Sequence, residues 1–400
     1  MPAPSASAIR PIAPNTSAVQ FVKALFERAV ETRATDIHIE PASGETRIRL
    51  RIDGICHDMQ RVTGNLATEV VARIKVLAEL DITERRQAQD GHIPFSIEGR
   101  PFDLRVATIP SRHGEKVAIR VADCGRTITQ LPQIGLSDVV LRTLRDLASK
   151  PFGMVLATGP VGSGKTTTLY ACLGEIDRTR RHVMTIEDPI EIELDRTVQV
   201  EVNYSIGFDF VTGLRAILRQ DPDVVLLGEV RDEETARIAV RASMTGLMVY
   251  STLHANDSTG AITTLRNFNI PSHLIAGSLQ GVIAQRLLRR ICPSCRVPDE
   301  TAAATAASTL GLDELPANFA AWRGAGCASC LGTGYFGRIG VFEIFRIDNR
   351  VRDMILENAS ERALRDHSVS AGMVTLQEDG LRKIMDGITT IEEFRRVLRF

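Results

Sequence analysis

The sequence predicts an α/β protein in two parts: an α+β N-terminal domain, then a larger parallel-sheet domain of the P-loop type. Three observations predict this. From about residue 139, the short apolar runs Met154–Ala157, Val183–Ile186, Val224–Leu227 and Met248–Thr252 alternate with helical stretches. That is the rhythm of a parallel sheet covered on both faces. Between the first of these runs and the helical stretch Thr166–Ile176 lies Gly159-Pro-Val-Gly-Ser-Gly164-Lys165-Thr166, which fits G-x-x-x-x-G-K-[ST] in its strand–loop–helix setting. Before residue 125, helices and alternating strands mix without that rhythm.

Composition agrees. A chain of 400 residues exceeds one ordinary core of roughly 100–150 residues. Hydrophobic content of 44% and charged content of 24% exclude disorder as the main account. Lys and Arg number 48 against 49 Asp and Glu, and this balance weighs against a dedicated nucleic-acid binder. No run reaches the length of a membrane span, and MPAPSASAIRPIAPNTS does not read as a signal peptide. Seven cysteines are sparse for this length and fit a reducing cytosol.

The elements follow in order. Residues 1–17, rich in Pro, Ala and Ser, read as a flexible tail. Val19, Val22, Phe26 and Val30 stand at helix spacing. Asp36–Ile39 and Thr46–Ile52 read as strands closed by the turn Asp53-Gly54. A helix at about 66–80 and strands at Ile93–Ile97, Phe102–Ile109 and Lys116–Ala122 complete a domain over 18–125. Residues 126–138, with Pro132 and Gly135, look like a linker to the domain at 139–400. Inside that domain, four cysteines at about 291–335 interrupt the rhythm, and 348–400 is helical. There Thr390 and Glu393 form a capping-box pattern.

The glycines of the loop let backbone N–H groups converge on phosphate oxygens at a helix N-terminus. Gly159, Pro160, Val161, Gly162, Ser163, Gly164, Lys165, Thr166 and Thr167 are therefore the expected nucleotide contacts. Lys165 would reach the β- and γ-phosphates, and Thr166 would hold Mg²⁺. Two acids end strands at the same sheet edge, where ligands bind in open α/β folds. Glu229, after Val224–Leu227, is the candidate for Mg²⁺, and Glu187, after Val183–Ile186, for positioning the attacking water. His254 follows Met248–Thr252, and its residue type alone leaves a structural and a γ-phosphate-sensing role both open.

The series GPVGSGKTTTLY (159–170), TIEDPIE (185–191), LRQDPDVVLLGEVRDEETA (218–236) and STLHAND (251–257) resembles the type II secretion and type IV pilus assembly (extension) ATPases. In that family these are the Walker A, Asp-box, Walker B and His-box elements. The resemblance extends to ATDIHIEP (34–41), RIRLRIDGI (47–55), LDITERRQAQDG (80–91) and LRVATIPSRHGEKVAIRV (104–121), which are similar to its second N-terminal domain, and on through GTGYFGRIGVFEI (332–344). It implies a RecA-type ATPase core using ATP and Mg²⁺. It also implies a cytoplasmic homohexamer, peripheral to the inner membrane, that meets the membrane only through an assembly platform protein. Arginines of the N-terminal domain close over the nucleotide in that family, which points to Arg105 and Arg120. A cation at the transferring phosphoryl is worth roughly 10³–10⁵ in rate. The chain departs from the family in three ways: the first N-terminal domain is replaced by the short tail, Thr264 stands where many members carry arginine, and Val161 replaces the usual Thr.

Cys292-Pro-Ser-Cys295 and Cys327-Ala-Ser-Cys330 can complete a tetrahedral Cys₄ zinc site, structural rather than catalytic. The resemblance tolerates the wide gap between the pairs, and the element argues against a retraction motor, which lacks it. Cys56, Cys124 and Cys172 have no ligand-like spacing. Two other classes remain as alternatives. One is a nucleic-acid translocase, for which the clusters Arg178/Arg180/Arg181 and Arg286/Arg289/Arg290 would speak, although no nucleic-acid partner is expected. The other is a ring scaffold that binds nucleotide without hydrolysing it.

Overall fold

The computed structural model of the protein describes residues 9–13, 16–125, 128–310, 315 and 319–398. The chain forms two compact units. One comprises the described residues to 125 together with Cys292–Arg296 and Gly324–Gly337, and the other comprises the remainder. The cysteine segments thus group with the first unit, whereas their place in the sequence put them inside the second.

The first unit is built from α1 (Ala18–Glu31), β1 (Ala34–Pro41), β2 (Thr46–Ile52), β3 (Ile55–Val62), α2 (Asn65–Leu77), β4 (Gln89–Ile97), β5 (Arg100–Ser111) and β6 (Gly114–Asp123). The six strands make one sheet in the order β3-β2-β1-β6-β5-β4, with every pair antiparallel. Strand alternation sends Ile37, Ile39, Ile48, Leu50, Leu104, Val106, Val117 and Ile119 to one face, where they meet Phe21, Val22, Leu25 and Phe26 of α1. Each side chain buried this fully contributes about 1.5–3 kcal/mol. Ser17 caps α1 by accepting from the Gln20 amide. The tail is not wholly loose: Ile9 and Ile12 are buried in this core, and the Ile12 amide donates to Gln60 Oε1 at 2.8 Å. Two isoleucines in a Pro/Ala/Ser context supply enough apolar surface to dock. Residues 1–8, 14 and 15 of the expected tail lie outside the described residues.

The second unit follows as α3 (Asp138–Ala148), β7 (Gly153–Thr158), α4 (Lys165–Gly174), β8 (Val183–Glu187), β9 (Val198–Glu201), α5 (Phe210–Ile217), β10 (Val224–Leu227), α6 (Glu233–Met244), β11 (Met248–Leu253), α7 (Gly260–Asn267), α8 (Ser272–Ser278) and β12 (Leu279–Ile291). The short β13 (Arg296–Pro298) pairs with β14 (Trp322–Gly324), with the short helices α9 (Glu300–Ala304) and α10 (Ala306–Leu310) between them. Then come β15 (Tyr335–Arg346), α11 (Asn349–Leu356), α12 (Glu361–Ser370), α13 (Leu376–Met385) and α14 (Ile391–Leu398). The sheet order is β15-β12-β7-β11-β10-β8-β9, parallel from β12 to β9.

Every residue of β7, β8, β10 and β11 is buried. Alternate side chains serve two cores. Leu156, Ile186, Leu227 and Val249 pack with Leu214, Ala239 and Leu265 of α5, α6 and α7. Val155, Val183, Leu226 and Tyr250 pack with Leu144 of α3 and Leu169 of α4 on the other face. The doubly covered parallel sheet is therefore the one expected. Within the expected linker, Leu131 is fully buried in the second core. The parallel strands deliver Gly159, Glu187, Gly228 and His254 to one edge of the sheet.

Candidate active site

The phosphate loop leaves β7 at Thr158 and enters α4 at Lys165. Gly159 has φ +145, and a Cβ there would lie 2.5 Å from the Gln285 carbonyl oxygen. Gly164, at φ +87, caps α4, and a Cβ would meet Gln285 Nε2 at 2.8 Å. Both positions need the missing side chain, for conformation and for space. Pro160 and Val161 stand exposed at the tip, while Ser163 is buried and its hydroxyl has no partner in the protein. An orphaned buried hydroxyl is costly, and phosphate oxygens are acceptors suited to it. Lys165 donates to the carbonyls of Gly159 (2.7 Å) and Pro160 (3.2 Å). Burial lowers its pKa, opposed by the charge of Glu229 and reinforced by that of Arg286. Thr166 and Thr167 follow in the first turn of α4. These residues fit a nucleotide triphosphate tail.

Glu229 lies two residues beyond β10 and is part-exposed. It forms a close ion pair with Arg231, and its Oε2 lies 3.5 Å from His254 Nε2. Arg231 also reaches Asp188 at 3.6 Å, donates to the Tyr204 hydroxyl at 3.3 Å and stacks over Phe210. Its hydrogen bond to Glu229 holds its pKa up against burial. Glu187 ends β8 as expected, but it is buried and its oxygens are already engaged. Tyr170 donates to one, in a short bond; Thr185 (2.6 Å) and Gln199 (3.1 Å) donate to the other. Sequence reasoning missed Tyr170, Arg231 and Gln285, and it grouped Arg286 with a basic cluster instead of with the phosphate loop. Arg231 could have been found, since it stands two positions after an acid at a strand end.

The profile of the family described as "Type II/IV secretion system protein" matches residues 13–396. The chain belongs to this family. It is 43% identical over 381 residues to the type II secretion system protein HxcR of Pseudomonas aeruginosa, covering 95% of this chain and 77% of that one. It is 39% identical to the type IV pilus assembly ATPase PilB of Myxococcus xanthus, over 94% of this chain and 67% of that one. Its fold matches the ATPase DotB of Legionella pneumophila with a TM-score of 0.71 at 21% identity, over 96% and 97% of the two chains. As a member of the type II/IV secretion family the chain is an ATP-hydrolysing enzyme, a secretion or pilus assembly ATPase.

Other residues singled out from the sequence of this family member lie as follows. Arg105 on β5 and Arg120 on β6 are direct cross-strand partners in the first unit. They stand in one row with Arg51, Asp36 and His92 across five strands. Like charges placed opposite each other repel. Here each has its own acid: Asp103 at 3.3 Å from Arg105 and Asp36 at 3.7 Å from Arg120. Thr264 donates to the Gly260 carbonyl within α7.

The four cysteines converge, with every sulfur within 4.8 Å of the others. Cys292–Cys327, Cys295–Cys330 and Cys327–Cys330 sulfurs are 3.7, 3.8 and 3.7 Å apart. Four thiolates about 2.3 Å from a tetrahedral zinc sit about 3.8 Å from one another. Backbone amides of Cys327 and Gly334 also donate to Cys330 Sγ, at 3.1 and 3.3 Å. Arg286 is buried and Arg289 nearly so, Arg178 donates to the Asp195 carbonyl, and Arg180 pairs with Asp177.

Proposed function

We propose that this chain is the motor subunit of a cytoplasmic homohexamer, peripheral to the inner membrane. It uses ATP hydrolysis to power assembly of pilin or pseudopilin subunits through an inner-membrane platform protein. The observation that carries this reading is the placement of the phosphate loop, Glu229 and His254 at one edge of one sheet, in a chain whose relatives are named for secretion and pilus assembly. Among the described residues no helix is long and apolar enough to cross a membrane.

In this reading the amides of 159–167 and Lys165 hold the β- and γ-phosphates, and Thr166 and Glu229 supply oxygen donors for Mg²⁺. The bound ion neutralises charge on the phosphates. The sequence pattern points to Glu187 for the attacking water. Its burial and three internal donors support a different division, in which Glu187 fixes the end of β8 and Glu229 accepts the water's proton. His254 orients Glu229 or senses the γ-phosphate beside it. Arg105 and Arg120 supply cations to the transferring phosphoryl when the ring closes. The four cysteines hold a structural zinc, which contributes folding free energy on the order of 10 kcal/mol.

Specific ATPase activity measured against protein concentration, with Mg²⁺ and Lys165→Ala as the blank, tests the reading. Activity per subunit should rise with concentration as rings form, and it should not respond to added DNA or RNA. Hydrolysis no higher than the blank at every concentration, with the platform's cytoplasmic domain present, overturns it in favour of a scaffold. Stimulation by nucleic acid overturns it in favour of a translocase.

A further inference from the structure

The segment after β11 is held from two sides. On one side stands the phosphate loop. Thr158, the residue before Gly159, donates to the Asp257 carbonyl at 3.2 Å. Buried Arg286 donates to the Asn256 carbonyl, and its Nη1 would lie 3.1 Å from a Cβ at Gly159. On the other side stands Glu343 of β15, which is fully buried. Its Oε1 accepts from the Ser258 amide (3.3 Å) and hydroxyl (2.5 Å), and its Oε2 accepts from the Leu376 amide (3.3 Å). Arg365 of α12 binds both oxygens, at 3.1 and 3.0 Å, and also lies 3.5 Å from Asp257 Oδ2. Asp257 Oδ1 in turn accepts from the amide of Gly260, the first residue of α7, at 2.8 Å. His254, at the head of this segment, is the partner of Glu229.

A buried carboxylate without a counter-charge is costly, and a bidentate guanidinium fixes direction as well as charge. Neither Glu343 nor Arg365 is used by the phosphate-binding chemistry itself. We propose that Arg365 is a positioning residue for ATP hydrolysis: by clamping Glu343 and Asp257 it sets the 254–260 segment against the phosphate loop and couples the C-terminal helices to the state of the nucleotide. This rests on the nucleotide reading of the loop above. Coupling of this kind is reciprocal, so nucleotide at the loop must also steady α12.

Hydrogen exchange on the full chain, with and without Mg²⁺ and a non-hydrolysable ATP analogue, tests this. In the wild type the analogue should slow exchange at 159–166, at 254–260 and at Glu361–Ser370. In Arg365→Gln, protection should remain at 159–166 and vanish from α12. In the turnover assay kcat should fall about tenfold with KM nearly unchanged, as when an interaction made only in the transition state is lost. A merely structural arginine would lower the melting temperature and leave both the kcat-to-KM split and the nucleotide response of α12 as they were, and that result overturns the proposal. So does a wild type in which 159–166 responds and α12 does not. Absence of any response at 159–166 would instead overturn the nucleotide reading. Should Arg365→Gln not fold, Glu343→Gln/Arg365→Gln removes the buried charge with its partner and must show the same loss at α12. Unchanged coupling in that double variant also overturns the proposal.

Discussion

Two carboxylates at the edge of the second sheet are treated differently by their surroundings. Glu187 is sealed behind Tyr170, Thr185 and Gln199, while Glu229 is part-exposed and shares its charge with Arg231 and His254. The contrast yields two expectations. Tyr170→Phe leaves the buried Glu187 short of a donor and should lower stability by about 1–3 kcal/mol in a thermal melt, without changing the affinity for nucleotide. Glu229→Gln should keep nucleotide binding and cut turnover by about 10²–10⁴-fold, measured under single-turnover conditions. An E229Q enzyme with near-normal turnover would return the water to another acid. In the sequence both acids close an apolar run, and nothing there tells a buried carboxylate from a part-exposed one. What separates them is burial and three side chains from elsewhere in the chain, which no local pattern encodes.

At the scale of elements, α14 buries a charge that a distant strand pairs, and the four cysteines gather a ligand set suited to a metal. The fully buried Glu393 of α14 accepts from the Arg289 amide and guanidinium of β12, at 3.0 and 2.9 Å, and from Arg396. The Glu393 amide donates to the Thr390 hydroxyl, so that half of the expected capping box forms while the carboxylate serves the sheet. Burial pushes the Glu393 pKa up, but the bonds from Arg396 and Arg289 outweigh it and bring it below the usual 4.5. A carboxyl with a lowered pKa in the fold stabilises above its unfolded value and stops doing so as pH falls through the folded one. Glu393→Gln should therefore cost about 3–5 kcal/mol near pH 7. The gap to wild type should shrink in melts run progressively below about pH 4.5. For the knuckle, one zinc per chain is expected by elemental analysis, and Cys327→Ser should lose the metal and speed hydrogen exchange over Gly324–Gly337. The legibility of elements follows the same physics. The strands β7, β8, β10 and β11 announced themselves because both faces are buried and each carries a short run of mostly apolar residues. The edge strand β9 was missed because only half of its four residues are even partly covered. The long β12 was missed because LQGVIAQRLLRRI alternates poorly and its buried Arg286 and part-buried Arg289 find partners distant in sequence.

For the whole molecule, the division of labour between two units carries its own test. The paired arginines of β5 and β6 belong to the first unit and the phosphate loop to the second. If the units cooperate in hydrolysis, Arg105→Ala and Arg120→Ala should each lower kcat, by up to about 10³–10⁵-fold, and leave binding of a fluorescent ATP analogue intact. Loss of binding in step with turnover would mean that they support the fold of their own sheet instead. The first unit also has a history that its contacts reveal. Its core takes in Leu331, its Arg33 stacks on Phe336 at 3.6 Å, and its Asp53 accepts from the Gly337 amide at 2.9 Å, across 284 positions of sequence. On the ribosome, where domains generally fold in the order they emerge, this unit begins first and cannot finish until Gly337 has been made. At about 5–20 residues per second, it waits through the synthesis of most of the second sheet before its last segments arrive.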